Sequence, residues 1–150
     1  MKNVLIVGVT AIVAFALAGA AFAGVKPTAR SATLTTARTG LGQVVVNGQS
    51  RTLYLFEKDT HAHSACSGLC TAYWPPVLTN GKAIAVKGAK RSLIGSIARA
   101  DGGRQVTYAG HPLYLFSGDT RSGQTNGEGL QDFGAGWYAL TPSGAKIDRD

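Results

Sequence analysis

The sequence predicts a small all-β domain, an antiparallel sandwich or barrel made of two similar hairpin-containing repeats related by a pseudo-twofold axis. Three observations lead to this prediction. From Gly40 onward, short runs of β-branched and aromatic residues are interrupted by Gly, Pro and Asn, which is typical of many short strands joined by tight turns. No amphipathic segment of three helical turns is present. The third observation is an internal duplication.

The duplication is clearest in an eight-residue segment that begins with four apolar or aromatic residues and ends with Asp-Thr. LYLFEKDT at residues 53–60 recurs as LYLFSGDT at residues 113–120. Each copy is followed by a second shared feature, a short segment that begins with a tryptophan. Together these copies place the first repeat at about residues 40–81 and the second at about residues 99–144.

A turn signal precedes each copy of LYLF. Asn47-Gly48 in the first repeat and Gly110 in the second are residues that tolerate a positive φ. Gln43 matches Gln105 at an offset of 62 residues, whereas the LYLF copies are 60 apart. We therefore expect each repeat to contain a hairpin whose second strand is LYLF, with the first turn two residues longer than the second.

Both faces of the LYLF strand are apolar. Because side chains alternate along a strand, Leu53 and Leu55 should point to one face, and Tyr54 and Phe56 to the other. Such a strand has to lie between two layers, and a single repeat is too small to cover both of them. This predicts that the two repeats pack on each other about the pseudo-twofold axis.

The first 23 residues resemble a signal peptide. Lys2 precedes a long apolar run, and Ala21-Phe22-Ala23 has the small-x-small pattern of a cleavage site. The alternative is an uncleaved membrane anchor, since the run is nearly long enough to span a bilayer. Cleavage leaves a flexible, Thr-rich lead-in at residues 24–39, whose end is a candidate first edge strand at about residues 31–37. The two-repeat domain follows at residues 40–150, with no further membrane span. The protein is expected to be periplasmic or secreted.

The exported chain is basic. Without Lys2 it has 14 basic and 8 acidic residues, a net charge of +6. Export excludes nucleic acid as the expected partner. The positive charge is explained either by solubility alone or by a partner, and the candidate partners are anionic cell-envelope components and another envelope protein. Four cations lie close together between the repeats, where they form either an anion-binding patch or a solvated linker: Lys82, Lys87, Lys90 and Arg91.

Each LYLF copy belongs to a Tyr-x-Phe-x-x-Asp motif. The motif residues are Tyr54, Phe56 and Asp59 in the first repeat and Tyr114, Phe116 and Asp119 in the second. With SACSGLCTAYWPP and the closing GWYALTPSG, they resemble a bacterial family of secreted repeats, predicted lipoproteins with a Y-x-[FWY]-x-x-D motif. The resemblance covers residues 40–144 and implies no particular activity. No lipidation cysteine follows the apolar run, in contrast to the lipoprotein form of the family.

Two cysteines in an exported protein allow three interpretations. Cys66 and Cys70 are expected to form a local disulfide. The alternatives are a redox-active thiol pair and a copper or zinc site, which His61 and His63 would complete. The metal site is the basis of the alternative function, a small periplasmic copper or zinc binding or redox protein.

The duplicated aspartates also allow two interpretations. Asp59 and Asp119 are expected to accept hydrogen bonds from backbone amides of the residues just after them. Alternatively, they face each other as a catalytic carboxylate pair of the kind that glycosidases use. The chain contains no nucleophile elbow, no HExxH helix and no phosphate-binding loop. We therefore expect a non-catalytic binding or structural module without a cofactor.

Overall fold

A computed structural model describes residues 30–149 of the chain. The predicted signal segment at residues 1–23 lies outside the described residues. Within residues 30–149, no helix is long and apolar enough to cross a membrane. In chain order, the elements are β1 (Thr33–Thr39), β2 (Gly42–Asn47), β3 (Tyr54–Phe56), α1 (Leu69–Tyr73), β4 (Ile84–Ala85), a 3-10 helix (Arg91–Leu93), β5 (Ile94–Ala98), β6 (Arg104–Tyr108), β7 (His111–Pro112), β8 (Gln131–Asp132) and β9 (Ala135–Ala139).

The strands form three small sheets, each of three strands. Their orders are β2-β1-β4, β3-β9-β8 and β5-β6-β7. Every pairing is antiparallel except that of β1 with β4, which is parallel. The predicted all-β class is confirmed, with α1 as a single helical turn, and the sheets do not close into a barrel.

The domain begins on the N-terminal side of the predicted boundary at Gly40. β1 starts at Thr33 and lies between β2 and β4. Its residue Leu34 is fully buried in the core. The candidate strand at the end of the lead-in is therefore present, but it is the central strand of its sheet rather than an edge strand, because the apolar face of β2 needs a neighbour that also contributes to the core.

A short hairpin opens each repeat, and the two hairpins are equivalent. The first turn is one residue longer than the second, not two. Val46 pairs with Thr52 in the first repeat, and Thr107 pairs with Pro112 in the second. Val46 thus corresponds to Thr107, at an offset of 61 rather than the predicted 62. The two glutamines matched in the sequence are consequently not equivalent, since the first is exposed and the second is buried.

LYLF is not the second strand of each hairpin as predicted: the hairpins pair through Thr52 and through β7, and the two LYLF segments then cross to the other repeat. Of these segments, only Tyr54–Phe56 forms a strand, β3. At the crossing, the Tyr54 amide donates to the Tyr114 carbonyl at 2.9 Å, and the Tyr114 amide donates to the Tyr54 carbonyl at 3.0 Å. This reciprocal pair of equivalent residues marks the pseudo-twofold axis. Beyond it, β3 pairs with β9 of the second repeat, while the Leu115 amide donates to the carbonyl of Pro75 in the first.

The crossed strands lie between two apolar clusters, as their alternation predicts. Leu53 and Leu55 are in one cluster, together with Leu34. Tyr54 and Phe56 are in the other, together with the two tryptophans that close the repeats. Both faces of the central strand are therefore buried, and each cluster contains side chains from both repeats.

Candidate functional site

The tyrosine and the aspartate of the repeated motif bind each other across the pseudo-twofold axis. The Tyr54 hydroxyl donates to Oδ2 of Asp119 at 2.6 Å, and the Tyr114 hydroxyl donates to Oδ2 of Asp59 at 2.7 Å. Tyr54, Tyr114 and Asp119 are almost completely buried, and Asp59 is half-buried. The motif therefore holds the two repeats together by two equivalent hydrogen bonds.

The second oxygen of each carboxylate accepts a backbone hydrogen bond. Oδ1 of Asp59 accepts from the Ala65 amide at 2.7 Å, and Oδ1 of Asp119 accepts from the Asn126 amide at 2.9 Å. The donors lie six and seven residues further along the chain, not immediately after each aspartate as the turn interpretation predicts. Each carboxylate thus closes a loop of its own repeat and receives the tyrosine of the other.

Burial keeps the two tyrosines protonated. It raises the pKa of Tyr54 and of Tyr114 well above the usual value for a phenol, and the adjacent carboxylates raise both further. Burial also raises the pKa of Asp59, which the hydrogen bonds from Ala65 and Tyr114 oppose. A neutral hydroxyl is the donor and a carboxylate the acceptor in each pair, which gives a short, charge-assisted hydrogen bond.

The motif phenylalanines close a stack of four aromatic rings beside these bonds. Trp74 and Trp137 stack at 3.9 Å between ring centroids with an interplanar angle of 7°. Phe56 stacks on Trp137 at 4.0 Å, and Phe116 lies against Trp74 at 4.5 Å. Each phenylalanine contacts the tryptophan of the other repeat, so the stack crosses the axis in the same way as the hydrogen bonds.

The two units joined in this way are the two segments that a known family shares. A family model described as a secreted repeat of unknown function matches residues 35–78 and 95–141. The chain belongs to this family. No curated protein and no solved structure matches the chain. The matched segments of the secreted repeat contain both copies of the motif and leave out the connection at residues 79–94.

The cysteines of this secreted repeat form the expected disulfide. Cys66 and Cys70 are bonded, with their Cα atoms 5.4 Å apart, and both are buried. α1 starts within the disulfide loop and leads directly to Trp74, whose amide donates to the Cys70 carbonyl at 2.8 Å. The disulfide thus positions the tryptophan at the centre of the stack.

The four-ligand metal site, the alternative to the disulfide, is not assembled. The two thiols are used in the disulfide, and His61 and His63 are both exposed in the loop before it. Among residues 30–149, no group of three or more His, Cys, Asp or Glu side chains is arranged to hold a metal ion. The sequence brings the four residues within ten positions of one another, but the fold directs them to different neighbours.

The neighbour of His61 is a second histidine, His111, which is 50 residues away in the sequence. The His61 ring lies 5.9 Å from the ring of His111, which is in the hairpin turn of the second repeat. Both line a cavity of about 260 Å³ with Glu57, Asp59 and Lys146. Burial and the nearby His61 lower the pKa of His111. The two histidines are not equivalent in the duplication, because His61 follows the first LYLF copy and His111 precedes the second, so no sequence signal connects them.

The sequence patterns also did not indicate the role of a buried arginine, Arg99. Arg99 is 9% exposed and donates to Ser64 Oγ, to the Cys66 carbonyl and to Gln105 Oε1 at 2.7–2.9 Å. It is also paired with Asp101, and this hydrogen bond raises the pKa of Arg99 and lowers that of Asp101. Arg99 therefore ties the disulfide loop to β6. Arg-x-Asp in a hairpin is the one local signal that could have indicated it.

The cations between the repeats lie at the surface. Lys82, Lys87, Lys90 and Arg91 are exposed, and none takes part in the three salt bridges of the described residues. The chain has no aspartate or glutamate between Asp59 and Asp101. This long stretch without carboxylates includes the connection that the family model does not match.

Proposed function

We propose that this secreted repeat is a non-catalytic binding module that acts in the periplasm or outside the cell and binds an anionic component of the cell envelope. The observation that carries the first part is the crossed Tyr–Asp arrangement. All four polar side chains of the repeated motif are engaged by partners within the protein. Such groups stabilise a fold and are not free to bind or transform a substrate.

The anionic partner is supported by the distribution of charge. Carboxylates are mostly bound internally: Asp101 pairs with Arg99, Glu57 pairs with Lys146, and Glu128 accepts from the Ala139 amide at 2.7 Å. The cations of the connection between the repeats have no such partner in the described residues. An excess of exposed cations attracts polyanions and increases their rate of association.

Sedimentation with isolated cell envelopes tests the proposed partner. The exported protein should bind at about 0.1 M salt and be released at about 1 M, where the Debye length falls from about 10 Å to about 3 Å. Binding that persists at 1 M salt would instead favour another envelope protein as the partner. A folded Asp59→Asn variant should bind as the parent does, and loss of binding with the fold intact would make the motif a functional site.

Metal analysis tests the proposal that the module acts without a metal. Protein purified from its own envelope compartment should contain no stoichiometric copper or zinc. Its mass should increase by two hydrogens on reduction, because Cys66 and Cys70 form a disulfide. Two thiols that react with an alkylating reagent before reduction, together with bound metal, would support the copper or zinc alternative.

A further inference from the structure

The connection between the repeats presents a mixed basic and aliphatic stripe. β4 runs beside β1, with the Ile84 amide donating to the Ala32 carbonyl at 2.8 Å and the Val86 amide to the Leu34 carbonyl at 2.9 Å. Because side chains alternate in this extended segment, Lys82, Ile84 and Val86 project to the same side. Ile84 is 48% exposed and Val86 is 41% exposed, so two aliphatic side chains next to a lysine are left in water.

Two open grooves flank this stripe and extend its chemistry. Arg30 and Leu78 line a groove of about 550 Å³ with Thr33, which pairs with Ile84. Lys82 of the stripe and Arg104 line a second groove, of about 450 Å³. No carboxylate lines either groove. We call the exposed residues of the stripe and of the two grooves the β4 face; they are Arg30, Leu78, Lys82, Ile84, Val86 and Arg104.

The cations of the β4 face are not neutralised by the protein. None of Arg30, Lys82 and Arg104 takes part in a salt bridge within residues 30–149. Arg104 donates only to Ser96, at 2.7 Å to its hydroxyl. The aliphatic members are equally unpartnered, since Leu78 is 51% exposed. A partner that gains from this face must offer both negative charge and an apolar environment.

We propose that the β4 face docks on a bilayer that contains anionic phospholipid, an inference that rests on the proposed anionic partner. Cations are attracted electrostatically to the anionic headgroups. Exposed aliphatic side chains are stabilised by burial at the boundary between headgroups and acyl chains. An anionic polysaccharide would interact favourably with the cations but would offer no apolar environment to the aliphatic side chains. Leu78, Ile84 and Val86 lie among the cations rather than apart from them. A bilayer surface can therefore bind both kinds of side chain at once.

The chain itself brings this face close to a membrane during export. The predicted apolar export segment ends at Ala23, and Arg30 lies seven residues later in the β4 face. Seven residues span at most about 25 Å when fully extended. An export segment still in the membrane would keep Arg30 within about 25 Å of the membrane surface.

Vesicle sedimentation of the exported protein at about 0.1 M salt tests the inference. The parent should bind phosphatidylglycerol–phosphatidylcholine vesicles and not vesicles of phosphatidylcholine alone. Lys82→Gln with Arg104→Gln should weaken binding roughly 25-fold, at about fivefold for each cation. The control pair Lys58→Gln with Arg121→Gln changes the net charge equally, away from the β4 face, and should weaken binding less than about threefold.

A second pair of variants separates the bilayer from other polyanions. Ile84→Ser with Val86→Ser should weaken vesicle binding roughly 10-fold and leave binding to soluble alginate unchanged, whereas Leu69→Ser, at another exposed aliphatic residue, should change neither. Thermal melts check that every variant is folded. If the serine pair binds vesicles as the parent does, the bilayer inference is wrong, while an anionic partner still stands. If the parent binds neither vesicles, alginate nor isolated envelopes, the proposed function fails as well.

Discussion

Tyr54 and Asp59 are only five residues apart, yet each forms its hydrogen bond across the axis with a residue of the other repeat. The reason is geometric. β3 is extended, and a tight turn follows in which the Asp59 amide donates to the Phe56 carbonyl at 3.0 Å. The equivalent turn holds Asp119 through the Phe116 carbonyl at 3.1 Å. The spacing of the motif therefore directs each carboxylate to the tyrosine of the neighbouring repeat.

A double-mutant cycle at Tyr54 and Asp119 should show strong coupling. Asp119→Ala leaves a buried hydroxyl and a backbone amide without their acceptor, and should lower the free energy of unfolding by about 2 kcal/mol or more. Asp119→Asn keeps an acceptor oxygen and should cost less. Tyr54→Phe removes the same bond, so the two losses should be coupled by about 1–2 kcal/mol in urea unfolding.

Asp132→Ala is the control for this cycle. The Asp132 carboxylate forms no hydrogen bond or ion pair within residues 30–149, so its removal should change the free energy of unfolding by less than about 0.5 kcal/mol. If Asp119→Ala unfolds at the same urea concentration as Asp132→Ala, the motif aspartates do not hold the repeats together. They would then be the first candidates for a functional role.

The pair of histidines should make stability depend on pH. The pKa of His111 is lowered in the folded state by burial and by His61, whereas an unfolded histidine titrates near about 6.5. Because the unfolded chain binds more protons, His111 contributes stability above pH of about 6.5 that is lost as the pH falls. The melting temperature should drop between pH 7.5 and 5.5, and less so in His111→Gln.

His63→Gln is the matched control for that measurement, because it leaves the contact between His61 and His111 in place. Glu57, Asp59 and Lys146 line the same cavity and are unchanged in both variants. An unchanged pH dependence in His111→Gln, equal to that of His63→Gln, would show that the acid sensitivity comes from other groups.

At the scale of elements, two different local structures position the two equivalent tryptophans. α1 and the disulfide lead to Trp74 in the first repeat, whereas the β8–β9 hairpin leads to Trp137 in the second. Trp137 also donates from Nε1 to the Asp132 carbonyl at 3.0 Å. The position of the ring is shared by both repeats, but the means of holding it is not.

The β8–β9 turn contains an unfavourable residue. Phe133 has a φ of 57° and Gly134 a φ of 89°, so both central residues of this two-residue loop are left-handed. Asn-Gly is preferred there, and a bulky aromatic residue is disfavoured. Phe133→Asn should therefore raise the free energy of unfolding by about 0.5–1 kcal/mol, measured by thermal and urea unfolding.

Gly134→Ala provides the comparison for this turn. It places a Cβ at positive φ and should destabilise the protein by about 1 kcal/mol. Phe133 lies 6.0 Å from the ring of Tyr73, so its replacement also removes a ring contact. A lower melting temperature in Phe133→Asn would mean that this contact outweighs the backbone strain.

At the scale of the whole molecule, neither repeat contains a complete core. β3 of the first repeat pairs with β9 of the second, and the Val106 amide of the second donates to the Val77 carbonyl of the first at 2.8 Å. The Val45 amide donates in the equivalent way to the Leu140 carbonyl at 2.9 Å. Each repeat thus supplies strands that the other needs.

The two halves of the chain should therefore not fold alone. Residues 24–89 and residues 90–150, expressed separately, should show no cooperative melting and no near-ultraviolet circular dichroism from stacked tryptophans, since Trp74 and Trp137 belong to different halves. An equimolar mixture should recover part of both signals. A half that melts cooperatively by itself would contradict the interdependence of the repeats.

Much of the architecture followed from local patterns in the sequence. The alternation of Leu53, Tyr54, Leu55 and Phe56 correctly predicted a strand between two apolar layers. The duplication predicted the pseudo-twofold arrangement, and two cysteines in an exported chain predicted the disulfide. These features depend on residues close together in the chain or on the comparison of one segment with its copy.

Only the tertiary structure decided which strands and side chains meet. The crossed Tyr–Asp bonds join residues 55 and 65 positions apart, and the contact of His61 with His111 joins residues 50 positions apart. Local alternation determines which face of a strand is apolar, but it is compatible with several partners for that strand. The choice among them depends on how well the whole core packs and whether its buried polar groups are paired, and both are properties of the assembled chain.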